Sequence, residues 1–366
     1  MRLIYDNIVF ALQRYGGISV VWQELLTKMQ IREQFQLGYI DIDNEQAKNP
    51  LRDRLQLPSE TIIDTTSRFV KLLRYLPVRL QGNEPFLFHS SYYRYCANPQ
   101  AINITTVHDF TYELFVKGVK QKVHTWQKFS AIRHSACTVC ISENTKRDLL
   151  RLLPDVDESR VRVIYNGVSE VYHVVPNCLC DLPYPAGSYV VFIGRRDDYK
   201  NFDLTVRSVA ATQLNLLIIG GQLTEEEKKQ VERFLPPQRY KCMSHVPDEQ
   251  LNLFYNNAAA LVYPSSYEGF GIPVLEAQRA GCPVIAYNGS SIPEVIGETP
   301  LLMQTLTDDE MVNKLKLLSN KQLMAEVRAN GLENTHRFSW QRMGDEYMKI
   351  YEEFSRVTCK TLCMKI

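Results

Sequence analysis

Short apolar runs alternate along this chain with amphipathic stretches, and a turn separates each from the next. In the first half the runs Leu3–Tyr5, Phe86–His89, Ile102–Val107, Cys137–Ile141 and Val161–Ile164 predict strands. In the second half Tyr189–Ile193, Leu214–Ile219, Ala260–Tyr263 and Val284–Tyr287 do the same. Most are rich in valine and isoleucine with little polar alternation, as in strands buried on both faces of a parallel sheet. Between them Val21, Leu25, Leu26 and Met29 share one helical face after Ser19. Leu149, Leu150 and Leu153 follow Ser142, and Leu251, Phe254 and Tyr255 follow Asp248, so Ser142 and Asp248 are candidate caps. Strand–helix alternation in both halves predicts an α/β protein of two doubly wound, Rossmann-like domains.

The periodicity lapses over Val175 to Ser188, where Pro176, Pro183, Pro185 and Gly187 interrupt the chain before a new strand. This predicts a first domain over residues 1–175, a linker over 176–188 and a second domain over 189–338. From Ser339 a long amphipathic run, Trp340 to Phe354, predicts a helix that crosses back onto the first domain within the segment 339–366.

The chain's 366 residues are too many for one compact core. Its 42 basic and 41 acidic residues leave a net charge of +1, which gives no basic field for gathering nucleic acid. No apolar run approaches the length of a membrane-crossing helix. Asp6 and Asn7 interrupt the first apolar stretch, which reads as a strand and not as a signal peptide. Nine scattered cysteines, an odd number, fit a reducing cytoplasm better than a disulfide framework. Cys137 and Cys140 have metal-ligand spacing, but they lie in an apolar run, and the Cys178/Cys180 spacing is poor, so both read as buried thiols.

Open α/β sheets bind ligands beyond the carboxyl ends of their strands, which directs attention to the strand-to-helix turns. Tyr15-Gly16-Gly17-Ile18-Ser19 allows close backbone approach at a helix start, although a plain turn reads equally well. His108-Asp109 ends a strand, where it can touch a sugar, hold a proton relay, or simply be satisfied by backbone. After Gly194 come Arg195, Arg196 and Lys200, a basic turn suited to a diphosphate and partly neutralised by Asp197 and Asp198. Gly220-Gly221 reads as a close-packing feature. The densest cluster is Glu268-Gly269-Phe270-Gly271-Ile272-Pro273, with Glu276 one turn into the following helix. Its glycines can present N–H groups to phosphate at the helix start, while Glu268 and Glu276 suit hydroxyl donors of sugar and ribose. No G-x-G-x-x-G pattern occurs, which argues against a dehydrogenase.

The spacing from Glu268 to Glu276 resembles the E-x7-E motif of the retaining glycosyltransferases of family four, which have the GT-B fold. Gly16-Gly17, His108-Asp109, Asn166-Gly167-Val168, Gly194-Arg195 with Lys200-Asn201, Ala280 to Val284 and Ile292 to Val295 follow in the same order as in that family. The resemblance implies GT-B architecture: two Rossmann-like domains facing across a cleft, with a C-terminal helix crossing back. It implies that Arg195 and Lys200 hold the donor diphosphate and that Glu276 binds ribose. Glu268, with Gly194 and the backbone of Gly269, Phe270, Gly271 and Ile272, would hold the donor sugar and phosphate. His108 would contact the transferred sugar with Asp109 beside it, and Gly16 and Gly17 would lie near phosphate or acceptor.

The implied reaction is a retaining, metal-independent transfer of a hexose from a nucleotide diphosphate-sugar, with mannose from GDP-mannose as first expectation. The acceptor would be a glycan or a lipid-linked glycan of surface polysaccharide synthesis. No cofactor is expected, since the nucleotide-sugar is a substrate. The triplets Asp41-Ile42-Asp43 and Asp155-Val156-Asp157 read as surface acids and not as a metal site. The alternatives are a UDP-sugar donor, an epimerase on the same fold, or a nucleotide-sugar-binding protein without turnover. Finally, the basic and apolar stretch Ser67 to Leu80 predicts an amphipathic helix, either packed on the core or resting in a membrane interface. The expected location is cytoplasmic, including the inner face of the membrane.

Overall fold

Runs of buried valine, isoleucine and leucine pair in parallel in both halves of the chain, because each strand is followed by a helix that returns the chain to the same edge. The computed structural model describes residues 1–43, 48–66, 70–176 and 181–363. In the first half the strands are β1 (Arg2–Asp6), β2 (Gln36–Asp43), β3 (Ile62–Thr66), β4 (Phe86–Ser90), β5 (Ala101–Val107), β6 (Cys137–Cys140) and β7 (Val161–Val163). They form a seven-stranded sheet in the order β3-β2-β1-β4-β5-β6-β7. In the second half β8 (Tyr189–Ile193), β9 (Asn215–Ile219), β10 (Tyr240–Met243), β11 (Ala260–Tyr263), β12 (Val284–Tyr287) and β13 (Leu302–Met303) form a six-stranded sheet in the order β10-β9-β8-β11-β12-β13. In each sheet the winding reverses beside the first strand, between β1 and β4 and between β8 and β11, and it is at such reversals that a crevice opens for ligands.

β2, β3, β10 and β13 are absent from the apolar-run reading, and each has a physical reason. β3, β10 and β13 are edge or near-terminal strands paired on one side only. β2 (QLGYIDID) carries alternating polar residues. Edge strands do not need the continuous apolar character of central ones.

The chain divides into two compact units. One comprises Met1–Gly167 with the C-terminal helix Trp340–Cys363, and the other Val168–Ser339. The division falls ahead of the proline-bearing stretch 176–188, because the residues after Gly167 are tied to the helix Asp248–Asn257. The His173 N–H donates to Asn252 Oδ1 (3.1 Å), and the Val175 N–H donates to Asn256 Oδ1 (2.7 Å). The Tyr172 hydroxyl donates to Asp248 (3.1 Å). Asp248 therefore lies in the first turn of that helix, after Pro247, and does not cap it. Ser142 does cap its helix, accepting the Thr145 N–H at 3.0 Å.

In the first unit, the helix Gly17–Gln30 buries Val21, Leu25, Leu26 and Met29, as their spacing requires. The C-terminal helix packs beside it and against β4 through polar contacts as well as apolar ones. Tyr351 and Thr106 bracket the fully buried His89 at 2.8 and 2.9 Å, and Tyr347 bonds Thr106 at 2.8 Å. Burial pushes the His89 imidazole down to about 3, aided by His108, so it stays neutral there.

The long amphipathic helix expected over Ser67 to Leu80 is not formed. Residues 67–69, with Phe69, lie outside the described residues; among the described ones the helix covers Val70–Leu73 and does not continue through 74–80. The Arg74 guanidinium lies over the Tyr92 ring at 4.7 Å, Pro77 follows, and Val78 then bridges in parallel to Cys96. A proline at this point forbids helix continuation, and the bridge fixes an extended chain instead.

At the carboxyl end of β1, Asp6 is wholly buried, accepting from Ser90 Oγ (2.8 Å) and Arg94 (3.0 Å). Burial raises its carboxyl above the usual range, while Arg94 and Ser90 oppose that shift. Arg94→Ala removes the compensating charge, and it should destabilise the chain by about 3–5 kcal/mol. Denaturant unfolding checks this; a loss below about 1 kcal/mol would show that Asp6 does not depend on its partner.

Candidate functional site

β8 is followed by Gly194, where the chain turns with φ of +116° and leads through a 3-10 turn, Asp198–Lys200, into the helix Phe202–Ala210. The basic residues of this turn divide their work. The Arg196 guanidinium is held by Glu227 (2.7 and 3.2 Å) and by the carbonyls of Gly221 and Gln222 (2.9 Å each). It is an internal brace between the β8 and β9 turns. The Arg195 side chain is 83% exposed and pairs with Asp197 at 3.0 Å. Gly220 makes the brace possible, since a Cβ there would meet the Gly194 carbonyl oxygen at 2.6 Å.

Lys200 points across to Glu268 and forms an ion pair with it, both side chains being largely buried. The Lys200 ammonium also lies 5.3 Å from the ring centroids of Tyr199 and Tyr263. Burial, then the charge of Glu268 and a hydrogen bond with it, hold the Tyr263 phenol well above its ordinary pKa. The two residues are 68 positions apart, and what joins them is the pairing of β11 with β8. The turns leaving both strands are stitched together: Ser266 N–H donates to the Tyr199 carbonyl (2.8 Å), and Asn201 Nδ2 to the Pro264 carbonyl (2.8 Å).

The loop from Pro264 to Gly271 is shaped from its other side by Ser290 and Ser291. Ser290 Oγ accepts the Glu268 N–H (2.7 Å) and donates to the Glu268 carbonyl (2.9 Å). Ser291 Oγ contacts the carbonyls of Glu268 and Phe270, both at 2.9 Å. Neither serine stands out in the sequence, because small hydroxyl residues in turns are common. The Phe270 side chain packs edge-on against Phe338 and is buried, so only its backbone can meet a ligand. Gly271 precedes the helix Ile272–Arg279 with φ of +109°, and a Cβ there would meet Ile292 Cδ1 at 2.9 Å. The positive φ favours glycine. Ile272 opens the helix and Pro273 occupies its first turn.

Glu276, in that helix, stands near Tyr172 and Asp248. Desolvation, then the negative charge of Asp248, pushes its carboxyl up to about 8, with the Tyr172 hydroxyl opposing. At neutral pH this side chain holds its proton, unlike an ordinary surface glutamate.

His108, Asp109, Gly16 and Gly17 belong to the first unit. His108 is buried, and desolvation, reinforced by Lys128 and opposed by Asp109, lowers it to about 4. It is a neutral hydrogen-bonding group and a weak base, which suits contact with hydroxyls better than a proton relay. Asp109 Oδ1 accepts the Thr111 N–H (2.9 Å) and so shapes the following turn. Beneath lies a network with no sequence signal. Lys128, wholly buried, donates to the Asp109 carbonyl (2.8 Å) and to Glu113 (2.6 Å), which also faces His124 at 3.4 Å. Gly16 caps the helix Gly17–Gln30, its carbonyl accepting from Ser19 Oγ at 2.8 Å, and a Cβ on Gly17 would meet open space.

The remaining candidates are engaged elsewhere. Asp41 pairs with Arg52 (2.6 Å) and Asp155 with Arg133 (2.8 Å), and Asp157 accepts the Ser159 N–H. Cys137 and Cys140 are buried, and burial raises both thiols, Cys137 to about 12. Cys178 and Cys180 lie outside the described residues. Among the described residues no group of three or more His, Cys, Asp or Glu is placed to hold a metal ion. Among them also, no helix is long and apolar enough to cross a membrane.

Comparison with known proteins bears on the family and the fold. A family model described as "Glycosyltransferase Family 4" matches residues 15–171, and one described as "Glycosyl transferases group 1" matches 184–336. The chain is 30% identical over 173 residues to O-antigen chain mannosyltransferase B of Escherichia coli, a match covering 45% of each. It is 27% identical over 237 residues to an uncharacterized glycosyltransferase of Methanocaldococcus jannaschii, covering 62% of each. The chain thus spans less than two thirds of the length of these two relatives. Among solved structures, sucrose-phosphate synthase from Thermosynechococcus elongatus superposes with a TM-score of 0.73 at 17% identity, covering 98% of this chain and all of that one. Anabaena HepE in complex with UDP and glucose gives 0.70 at 14% identity, covering 96% and all. With one model on each side of the division and the GT-B fold in both neighbours, the chain belongs to the group 1 glycosyltransferases of family four.

Proposed function

We propose that this chain transfers a hexose, with retention, from a nucleotide diphosphate-sugar to a glycan or lipid-linked glycan acceptor. The observation that carries the reading is the Lys200–Glu268 pair at the reversal of the second sheet, with Arg195 exposed on the same turn. An ammonium has three donors, so one can be fixed by Glu268 while the others meet phosphate oxygens. Arg195 adds a forked guanidinium for the same diphosphate. Together they would offset the charge that grows on the leaving nucleotide as the glycosidic bond breaks. A front-face route, in which a leaving phosphate oxygen takes the acceptor proton, needs no protein nucleophile. Neutral His108 would hydrogen-bond the transferred sugar, and Glu276 would accept the ribose hydroxyls.

Two relatives support mannose as the sugar, with GDP as the carrier in this reading: the O-antigen chain mannosyltransferase B, and a serotype-specific mannosyltransferase of E. coli, 22% identical over 230 residues. Their names also support a role in surface polysaccharide synthesis. A UDP-sugar is the second reading, favoured by the UDP held in the HepE structure.

Lys200→Met should lower turnover about a hundredfold or more in protein that circular dichroism shows to be folded, although Glu268, left without its partner, should lower the melting temperature. Near-normal turnover would remove the diphosphate clamp. Because the clamp is made of side-chain cations, activity should survive excess chelator; turnover restored only by added manganese or magnesium would contradict it.

Glu276 gives a pH prediction. Ribose hydroxyls donate to the ionised carboxylate, whereas the free group holds its proton up to about 8. Nucleotide binding therefore releases a proton and should tighten about tenfold from pH 7 to pH 9. Calorimetry with GDP and UDP measures this, and Glu276→Gln should flatten the profile. An unchanged slope in that variant would assign the pH dependence to another group.

A further inference from the structure

The helices Thr111–Phe115 and Val119–His134 turn two different faces to two different environments. Their inner face is the polar network of Glu113, His124 and Lys128 beneath the His108–Asp109 turn. Their outer face is apolar and exposed. Leu114 is exposed, Val119 is 77% and Trp126 60% exposed, and Val123 lies between the last two on one helical stripe. An open groove of about 570 Å³ runs along the same helix, lined by Lys122, Trp126, Phe129 and Arg133 among others. Side chains of this kind, so placed, do not help hold the fold, and contiguous exposed apolar surface marks a place of interaction.

Beside Val119, Val123 and Trp126 the exposed charges of this segment are positive, while at its far end Arg133 is paired with the exposed Asp155 at 2.8 Å. Lys117, Lys120 and Lys122 are all exposed. Glu113 is the sole acidic residue between Asp109 and Glu143, and it is turned inward onto Lys128 at 2.6 Å. An occupant must therefore accept apolar side chains and bring negative charge to their rim. A bilayer containing anionic phospholipid does both: its interface takes tryptophan and aliphatic side chains, and its phosphates attract the lysines. The expected helix over Ser67 to Leu80 placed such a contact elsewhere; the folded chain offers this surface instead.

We propose that the segment 111–134 seats the first unit on an anionic phospholipid surface, with Val119, Val123 and Trp126 entering the interface and Lys117, Lys120 and Lys122 facing the headgroups. The proposal does not depend on the transfer chemistry, because the nucleotide candidates of the second unit take no part in it.

The chain carries its own reporter. Trp22 and Trp340 are buried, so Trp126 dominates any change in tryptophan environment. Vesicles of phosphatidylcholine with phosphatidylglycerol should shift the emission to the blue at low salt, and brominated lipid should quench it. Pure phosphatidylcholine should do neither, and high salt should weaken the effect. Trp126→Phe should keep sedimentation with anionic vesicles but lose the shift. Reversal of Lys117, Lys120 and Lys122 to Glu, in a variant whose melting temperature is unchanged, should weaken vesicle binding roughly a hundredfold. Absence of any shift with anionic vesicles, or full binding by the reversed variant, would overturn the proposal. So would a blue shift that grows with protein concentration without lipid, which would assign the surface to a second copy of the chain. None of these readouts involves nucleotide or turnover, so the result stands apart from the transferase reading.

Discussion

Lys200 and Glu268 meet because β8 and β11 pair in parallel, so the turns leaving their carboxyl ends emerge side by side. Much of the second unit's site follows from that adjacency. Asn201 and Ser266 lock the two turns together, Ser290 and Ser291 hold the loop from the far side, and Arg196 ties the first turn back to β9. A buried ammonium would be costly alone, and a buried carboxylate equally so; paired and flanked by Tyr199 and Tyr263, each makes the other tolerable. The pair is thus an oriented charge, with Arg195 exposed on the same turn.

Two other titratable candidates, Glu276 in the same unit and His108 in the first, are neutral at physiological pH. Glu276 keeps its proton because it is desolvated beside Asp248, and His108 loses its own because it is buried near Lys128. Opposite shifts arise from one cause, the preference of a buried group for its uncharged form. Neutral groups of this kind suit hydrogen bonding to hydroxyls, and in the proposed function phosphate recognition is assigned to the two cations.

Much of this was legible in the sequence because buried parallel strands and glycine-bracketed turns leave strong local signatures. The central strands and the clusters at Gly194–Lys200 and Glu268–Glu276 could be found without coordinates. Edge strands such as β10 could not, since their half-exposed residues look like loop. Arg196 shows a second limit. It reads as one more cation of the clamp, and only its contacts with Glu227 and two carbonyls reveal a brace. Ser290, Ser291 and the Lys128–Glu113–His124 network were invisible for a related reason: their roles come from partners distant in sequence. The stretch 67–80 misled because helical periodicity outweighed Pro77 and the pull of Tyr92 on Arg74.

The central claim is that the turns after β8 and β11 together receive a nucleoside diphosphate. Hydrogen exchange measured by mass spectrometry, with and without saturating GDP or UDP, tests it most directly. The account predicts slowed exchange over residues 194–201 and 264–276 with at least one of the two nucleotides, and little change in β10 or in the helix Lys321–Thr335. Protection confined to other segments, with both turns exchanging as in the free protein, would contradict it.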